Sequence, residues 1–262
     1  MQIVLKTPDE IAIMREAGRI VARAHAAMKE AIRPGVSTAE LNRIAETVLR
    51  DHGATPVFLN YPKPNSPNYP ATINASINHE IVHGIPSEER LLQEGDIISL
   101  DVGCTYQGFV GDSAWSWPVG EVSPGARRLL EVGEQALMLG IQKSVLPNDI
   151  RTVALAIQEF AASHGYDVVR DYTGHGVGRK MHEDPQVPNW WPKGKRDRPG
   201  WENVALRPGM TYAIEPMITA GRADTKELSD KWTVVTRDRS LSVHFEHTIA
   251  ITEGEPIILT LP

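Results

Sequence analysis

Residues 96–117 read Asp96-Ile-Ile-Ser-Leu-Asp-Val-Gly-Cys-Thr-Tyr-Gln-Gly-Phe-Val-Gly-Asp-Ser-Ala-Trp-Ser-Trp117. Within the β-type run 96–119, two apolar stretches flank a turn near Tyr106-Gln107-Gly108, which predicts a β-hairpin. Each arm carries one carboxylate in otherwise apolar surroundings, Asp101 and Asp112. With the turn centred between Tyr106 and Gln107, the two fall directly opposite each other. Side by side they repel, and burying either one unpaired costs several kcal/mol. The hairpin is electrostatically unfinished, so positive charge has to complete it.

The second half of the chain repeats the arrangement. Gly95 lies six residues before Asp101 and Gly209 six before Glu215, with apolar β-type residues between them both times. Asp112 lies eight before Gly120, and Glu246 eight before Gly254. Pro34 to His52-Gly53 and Pro147 to His164-Gly165 each enclose one helix, and His83-Gly84-Ile85-Pro86 echoes His175-Gly176-Val177-Gly178. Any one spacing recurs by chance, but the same order in both halves points to a duplication. The expected fold is α/β, with two similar halves at approximately 9–120 and 123–254 around a central sheet. They form one domain, 1–262, with a site at their junction.

Helices are expected at 9–32, at 37–53 from the Ser37-Thr38-Ala39-Glu40 box, and at about 123–145 and 148–165. Residues 54–72 hold five prolines among Phe58, Tyr61 and Tyr69, so they read as a long aromatic loop, and residues 73–83 as strand. A Trp/Pro/Lys/Arg loop follows at 188–201. With 41% apolar and 23% charged residues and no apolar run near the ~18 a membrane span needs, a membrane protein is excluded. The lone Cys104 forbids an internal disulfide and, with no secretory signal visible, suggests the cytoplasm. A net charge of −6 is the wrong sign for a protein that acts on nucleic acid.

Asp101, Asp112, Glu215 and Glu246 all interrupt strand-like segments, and the duplication brings the four to one place. Two divalent cations would neutralise them. His175, set in Thr-Gly-His-Gly-Val-Gly, is a natural fifth ligand, and oxygen-rich ligation with one imidazole suits pairs of Mn, Fe, Co or Zn. His79-Glu80-Ile81-Val82-His83 matches the H-E-x-x-H pattern of zinc peptidases, but that pattern works only on a helix. In a strand the two histidines would stand about 13 Å apart and could not share an ion. His247 points away from Glu246's face and reads as structural. His25, His52, His164 and His244 read as surface or helix-terminus residues.

Together, Ile-Ser-Leu-Asp101-Val-Gly, Gly-Asp112-Ser, Thr-Gly-His175-Gly-Val-Gly, His182-Glu-Asp-Pro, Ile-Glu215-Pro-Met and Phe-Glu246-His-Thr resemble, in order and approximate spacing, the signature segments of the bacterial type I methionine aminopeptidases. The resemblance covers the whole chain. It implies a pita-bread fold, a central antiparallel sheet flanked by helices. It also implies that Asp101 (bidentate) and Asp112 hold one metal, that Asp112, His175 and Glu215 hold the other, and that Glu246 bridges both. His83 and His182 would contact substrate, and Phe58, Tyr61, Tyr69, Met181 and Trp232 would line a methionine pocket. The chain departs from better-known members at Phe58 and Asn74, where cysteines are common, at Met181, where Phe is common, and in longer 58–69 and 188–201 loops.

The implied reaction is removal of N-terminal Met from peptides and nascent chains, with a small second residue preferred and Glu215 as proton acceptor. A monomer is expected. Lys193, Lys195, Arg196 and Arg198 could dock transiently on the ribosome, although an ordinary solvated insertion is the plainer reading. An X-Pro aminopeptidase or prolidase of the same fold, and a non-catalytic binding module, are the rivals. The first usually carries an extra N-terminal domain and other site histidines; the second typically loses ligands.

Overall fold

The computed structural model describes residues 2–192 and 202–262. Its helices start where capping side chains satisfy free backbone N–H groups. Thr7 and Glu10 form a reciprocal capping box for α1 (Pro8–Ala31), and Ser37 accepts from Glu40 N at the head of α2 (Thr38–Asp51). Ser123 accepts from Ala126 N to open α3 (Pro124–Lys143), and Asp149 accepts from Thr152 N to open α4 (Ile150–Ser163). His52 and His164 occupy the C-caps of α2 and α4, as expected of helix-terminus residues. No helix among the described residues is long and apolar enough to cross a membrane.

The first half contributes β1 (Thr55–Pro56), β2 (Ile73–Ile77), β3 (Glu80–Val82), β4 (Ile97–Tyr106) and β5 (Phe109–Pro118). The second contributes β6 (Asp167–Val168), β7 (Gly174–Gly176), β8 (Glu183–Val187), β9 (Thr211–Ile214) and β10 (Met217–Thr219). It continues with β11 (Thr225–Glu227), β12 (Val234–Thr236), β13 (Ser242–His244), β14 (His247–Ala250) and β15 (Ile257–Ile258). Every pairing is antiparallel. β4 pairs with β5 along its length and with β2 and β1 besides, and β15-β14-β9-β7-β8 form the matching sheet of the second half. Two smaller sheets, β13-β10-β6 and β11-β12-β3, complete the layer.

The hairpin register differs from the expected one. The turn is the two-residue pair Gln107-Gly108, both with positive φ (48° and 80°), so Tyr106 faces Phe109 and Asp101 faces Ala114. Such a turn matches the right-handed twist of the strands. Asp101 and Asp112 are therefore diagonal rather than directly opposite. Because the register is displaced by two residues and side chains alternate with period two, both carboxylates stay on one face.

The layer is also less continuous than one central sheet. β5 and β14 meet through Glu246 N–H donating to Ala114 O (2.8 Å) and through hydroxyls that cross the seam. Ser113 Oγ donates to Glu246 O (2.7 Å) and Thr248 Oγ1 to Asp112 O (2.8 Å). Each half has its own helical cover. Val21, Ala24 and Met28 of α1, backed by Leu41, Ala45 and Leu49 of α2, share a core with Leu100 and Val102 of β4, while Leu129 and Leu137 of α3 and Ile157 of α4 share one with Tyr212, Ile214 and Phe245. Since Leu100 and Val102 point to the helices, Asp101 between them points the other way. That alternation turns the charged face of the layer into the interior of the site.

Candidate metal centre

In the second half the carboxylates are released from the ladder rather than carried on it. β9–β14 and β10–β13 share one register, Ile214 with His247 and Met217 with His244, which places Glu215 opposite Glu246 across the gap between them. Pro216 at the gap has no N–H to pair, so the regular ladder lapses there, with Phe245 N–H donating to Pro216 O (3.3 Å) across it. His175 enters from β7 between two glycines. A Cβ at Gly174 would stand 2.3 Å from Ala213 O and one at Gly176 2.2 Å from Asp184 O, so only glycine lets β8 and β9 close around the imidazole.

The five expected ligands meet in one cavity of about 200 Å³. His175 Nε2 lies 3.6 Å from Asp112 Oδ2 and 3.5 Å from Glu215 Oε1. Ligand atoms of Asp112, His175 and Glu246 all lie within 4.8 Å of one another. His175 Nδ1 donates to Gly176 O (3.0 Å), which leaves the Nε2 lone pair facing the carboxylates. Asn74 donates to Asp101 Oδ2 (2.7 Å) and fixes that carboxylate from the side.

The charge is not balanced by protein groups. Among the described residues no Lys or Arg lines the cavity, and buried oxygens of Asp101, Asp112 and Glu246 have no hydrogen-bond partner. Burial pushes Asp101 up to about 7 against the opposing pull of His244 and of the Asn74 hydrogen bond. Burial likewise holds Asp112, Glu215 and Glu246 well above the usual carboxylate range. It lowers His175 to about 3, keeping the imidazole neutral as a ligand must be. Unpaired carboxylate oxygens around a neutral imidazole fit hard or borderline divalent cations.

The same cavity brings in the other expected residues. His182 lies with its ring centroid 4.3 Å from that of His175, and Tyr61 OH lies 2.7 Å from His182 Nδ1. His83 sits at φ 61°, a conformation uncommon outside glycine, with its ring edge-on to Tyr172 and Trp232. Phe58, Tyr69, Met181 and Trp232 pack together as the apolar end. Tyr69 OH donates to Ile73 O and Gly84 O, and Trp232 Nε1 donates to Pro67 O, so this wall is held from behind. His79 and His83 flank β3 rather than a helix turn, and His79 does not line the cavity.

Val82, Tyr172, Thr173 and His244 also line the cavity and were not singled out from the sequence. His244, expected at the surface or a helix end, is instead buried, with Nε2 3.6 Å from Glu215 Oε2. His25, given the same expectation, is buried behind the hairpin, where its Nε2 donates to Ser113 O (2.9 Å). The signal for His244 was its position: two residues before Glu246 in a strand, it shares that carboxylate's face.

The model of metallopeptidase family M24 matches residues 12–253. Methionine aminopeptidase 1 of Bacillus subtilis is 47% identical, covering 98% of this chain and 99% of its own, and methionine aminopeptidase of Escherichia coli is 39% identical, covering 100% and 95%. The crystal structure of a methionine aminopeptidase from Thermotoga maritima superposes with a TM-score of 0.92 at 40% identity, covering all of both chains. A prolidase from Pyrococcus furiosus, at 22% identity and a TM-score of 0.76, shares the fold, and this chain spans only 66% of its length. On the family match and on relatives aligned end to end, the chain belongs to metallopeptidase family M24 and has its pita-bread fold.

Proposed function

We propose that the protein is a methionyl aminopeptidase that removes N-terminal methionine from peptides and nascent chains. The observation that carries this reading is the joining of an uncompensated carboxylate–imidazole cluster to a closed apolar end in one small cavity. Asp101 and Asp112 would hold one divalent ion, Asp112, His175 and Glu215 the second, and Glu246 both; Co, Mn, Fe or Zn suits the donor set. Bound there, the ions supply Lewis acidity and a water acidic enough to ionise near neutral pH.

The chain's own groups do the rest. Phe58, Tyr61, Tyr69, Met181 and Trp232 enclose the methionine side chain, and the apolar wall excludes water from it. Glu215 takes the proton of the attacking water and passes it to the leaving amine. His182 donates to the carbonyl oxygen as negative charge develops there, and His83 bonds the scissile amide nitrogen. A carboxylate cluster also explains selection of a free N-terminus, because a protonated or metal-held amine is needed to face it. A small residue after Met is preferred.

The chain is read as one domain, 1–262, with related halves at approximately 9–120 and 123–254, acting as a cytoplasmic monomer. For Lys193, Lys195, Arg196 and Arg198 an ordinary solvated insertion stays the plainer reading beside a transient ribosome contact; those residues lie outside the described ones. The test is release of Met from Met-Ala-Ser compared with cleavage of an X-Pro dipeptide, with metals added singly. Met release that falls sharply from Met-Ala to Met-Arg or Met-Trp substrates is the expected result, and preferential X-Pro cleavage would assign the site to the prolidase class.

A further inference from the structure

Glu215 is bracketed by two imidazoles. His175 Nε2 stands 3.5 Å from its Oε1 and His244 Nε2 stands 3.6 Å from its Oε2. The first belongs to the proposed ligand set; the second has no assigned role. His244 ends β13, and hydroxyls of the other half fix its backbone. Its N–H donates to Ser116 Oγ (3.0 Å), and Ser116 Oγ donates to its carbonyl (2.8 Å). The ring is 97% buried on its side-chain atoms, and Nε2 has no hydrogen-bond partner. An unmatched buried ring nitrogen is destabilising, so it calls for a partner that the working site provides.

Like Asp101 and Glu215, His244 lies outside the tight group of ligand atoms formed by Asp112, His175 and Glu246, so what sets its role is the oxygen it faces. It faces the Glu215 oxygen that His175 does not. We propose that His244 is a positioning residue for Glu215: its Nε2–H donates to Oε2, leaving Oε1 for the ion shared with His175. This rests on the metal reading above. At 3.6 Å the pair is short of a hydrogen bond by roughly 0.6 Å, a gap that a small turn of the carboxylate onto an ion closes. With Oε2 engaged, Glu215 cannot swing round to chelate through both oxygens. Oε1, with a second lone pair left to accept the proton, then stays aimed into the cavity. Groups that orient metal-binding carboxylates in this way typically contribute about 10–100-fold in metal affinity or activity.

The experiment titrates metal-free wild type, His244→Gln and His244→Leu with Mn(II) by calorimetry and measures kcat and KM on Met-Ala-Ser. A glutamine amide still donates at this position; leucine does not. The expected result is that His244→Leu weakens uptake of one ion by about 10–100-fold and lowers kcat with little change in KM. His244→Gln should retain most of both. A reading that needs no variant is ¹⁵N NMR of the zinc-loaded wild type, in which His244 should carry its proton on Nε2. Wild-type-like metal uptake and kcat in His244→Leu would overturn the proposal, reducing His244 to a wall residue. So would an Nε2 that is bound to metal rather than protonated, or a His244→Gln enzyme as impaired as His244→Leu. A wild type that takes up no metal at all in the same titration would instead overturn the metal reading itself.

Discussion

The two carboxylate-bearing strand pairs solve one problem differently. In the first half β4 and β5 run unbroken through ten residues each, and Asp101 and Asp112 are short side chains standing on one face of a regular ladder. In the second half the ladder stops at Glu215-Pro216 and Phe245-Glu246, and the longer glutamates reach in from the break. The regular pair fixes its carboxylates by backbone register. The broken one leaves them to be fixed by side chains, with His175 and His244 on either side of Glu215. The first half should therefore behave as a rigid platform and the second as the adjustable side of the site.

The largest effect expected is from a ligand on the platform. Asp112→Ala should lose bound metal and lower turnover by at least roughly 10³-fold, and His175→Ala should do the same; elemental analysis beside the assay checks it. Next come the two histidines that approach from outside the ladders. His83→Ala or His182→Ala should keep the metal yet lower kcat by about 10²–10³, or about 3–4 kcal/mol, with less effect on substrate binding. Metal loss in either variant equal to that of Asp112→Ala would make them ligands and undo the five-residue site.

A third test probes the back of the platform. Burial holds His25 at about 4, against an ordinary 6.5, so between those values the unfolded chain binds more protons than the folded one. The depressed pKa makes the His25 contribution complete above pH 6.5 and erodes it as pH falls towards 4. From pH 7.5 to 5 the loss should be about 2 kcal/mol, and a His25→Gln variant should lack it; denaturant midpoints of the two proteins at both pH values check this. The smallest effect is expected at the seam between the halves. Thr248→Val removes a hydroxyl that donates to Asp112 O and should cost about 1 kcal/mol of unfolding free energy with metal content unchanged.

Much of this comparison is legible in the chain. Carboxylates inside apolar runs announce the cluster at Asp101, Asp112, Glu215 and Glu246 because burial makes them costly there, and repeated glycine spacings announce the two halves. Capping residues Ser37 and Asp149 mark helix starts by a local rule. The exact pairing was not legible, because it depended on which two residues take positive φ, and Gln107 carries a weaker turn signal than Asn or Asp would. The division of the sheet escaped as well, since Pro216 marks a break without showing how far strands diverge. His25 and His244 were misplaced because histidine occurs inside and outside alike, and only the fold decides.

The central claim is that the buried cluster works through divalent ions held by carboxylates of both halves. Exhaustive chelation, with metal absence verified by elemental analysis, tests it most directly, followed by readdition of Mn, Fe or Co singly and measurement of Met release. The expected result is no activity without metal and recovery that saturates at two ions per chain. Full activity in the verified metal-free protein would contradict it.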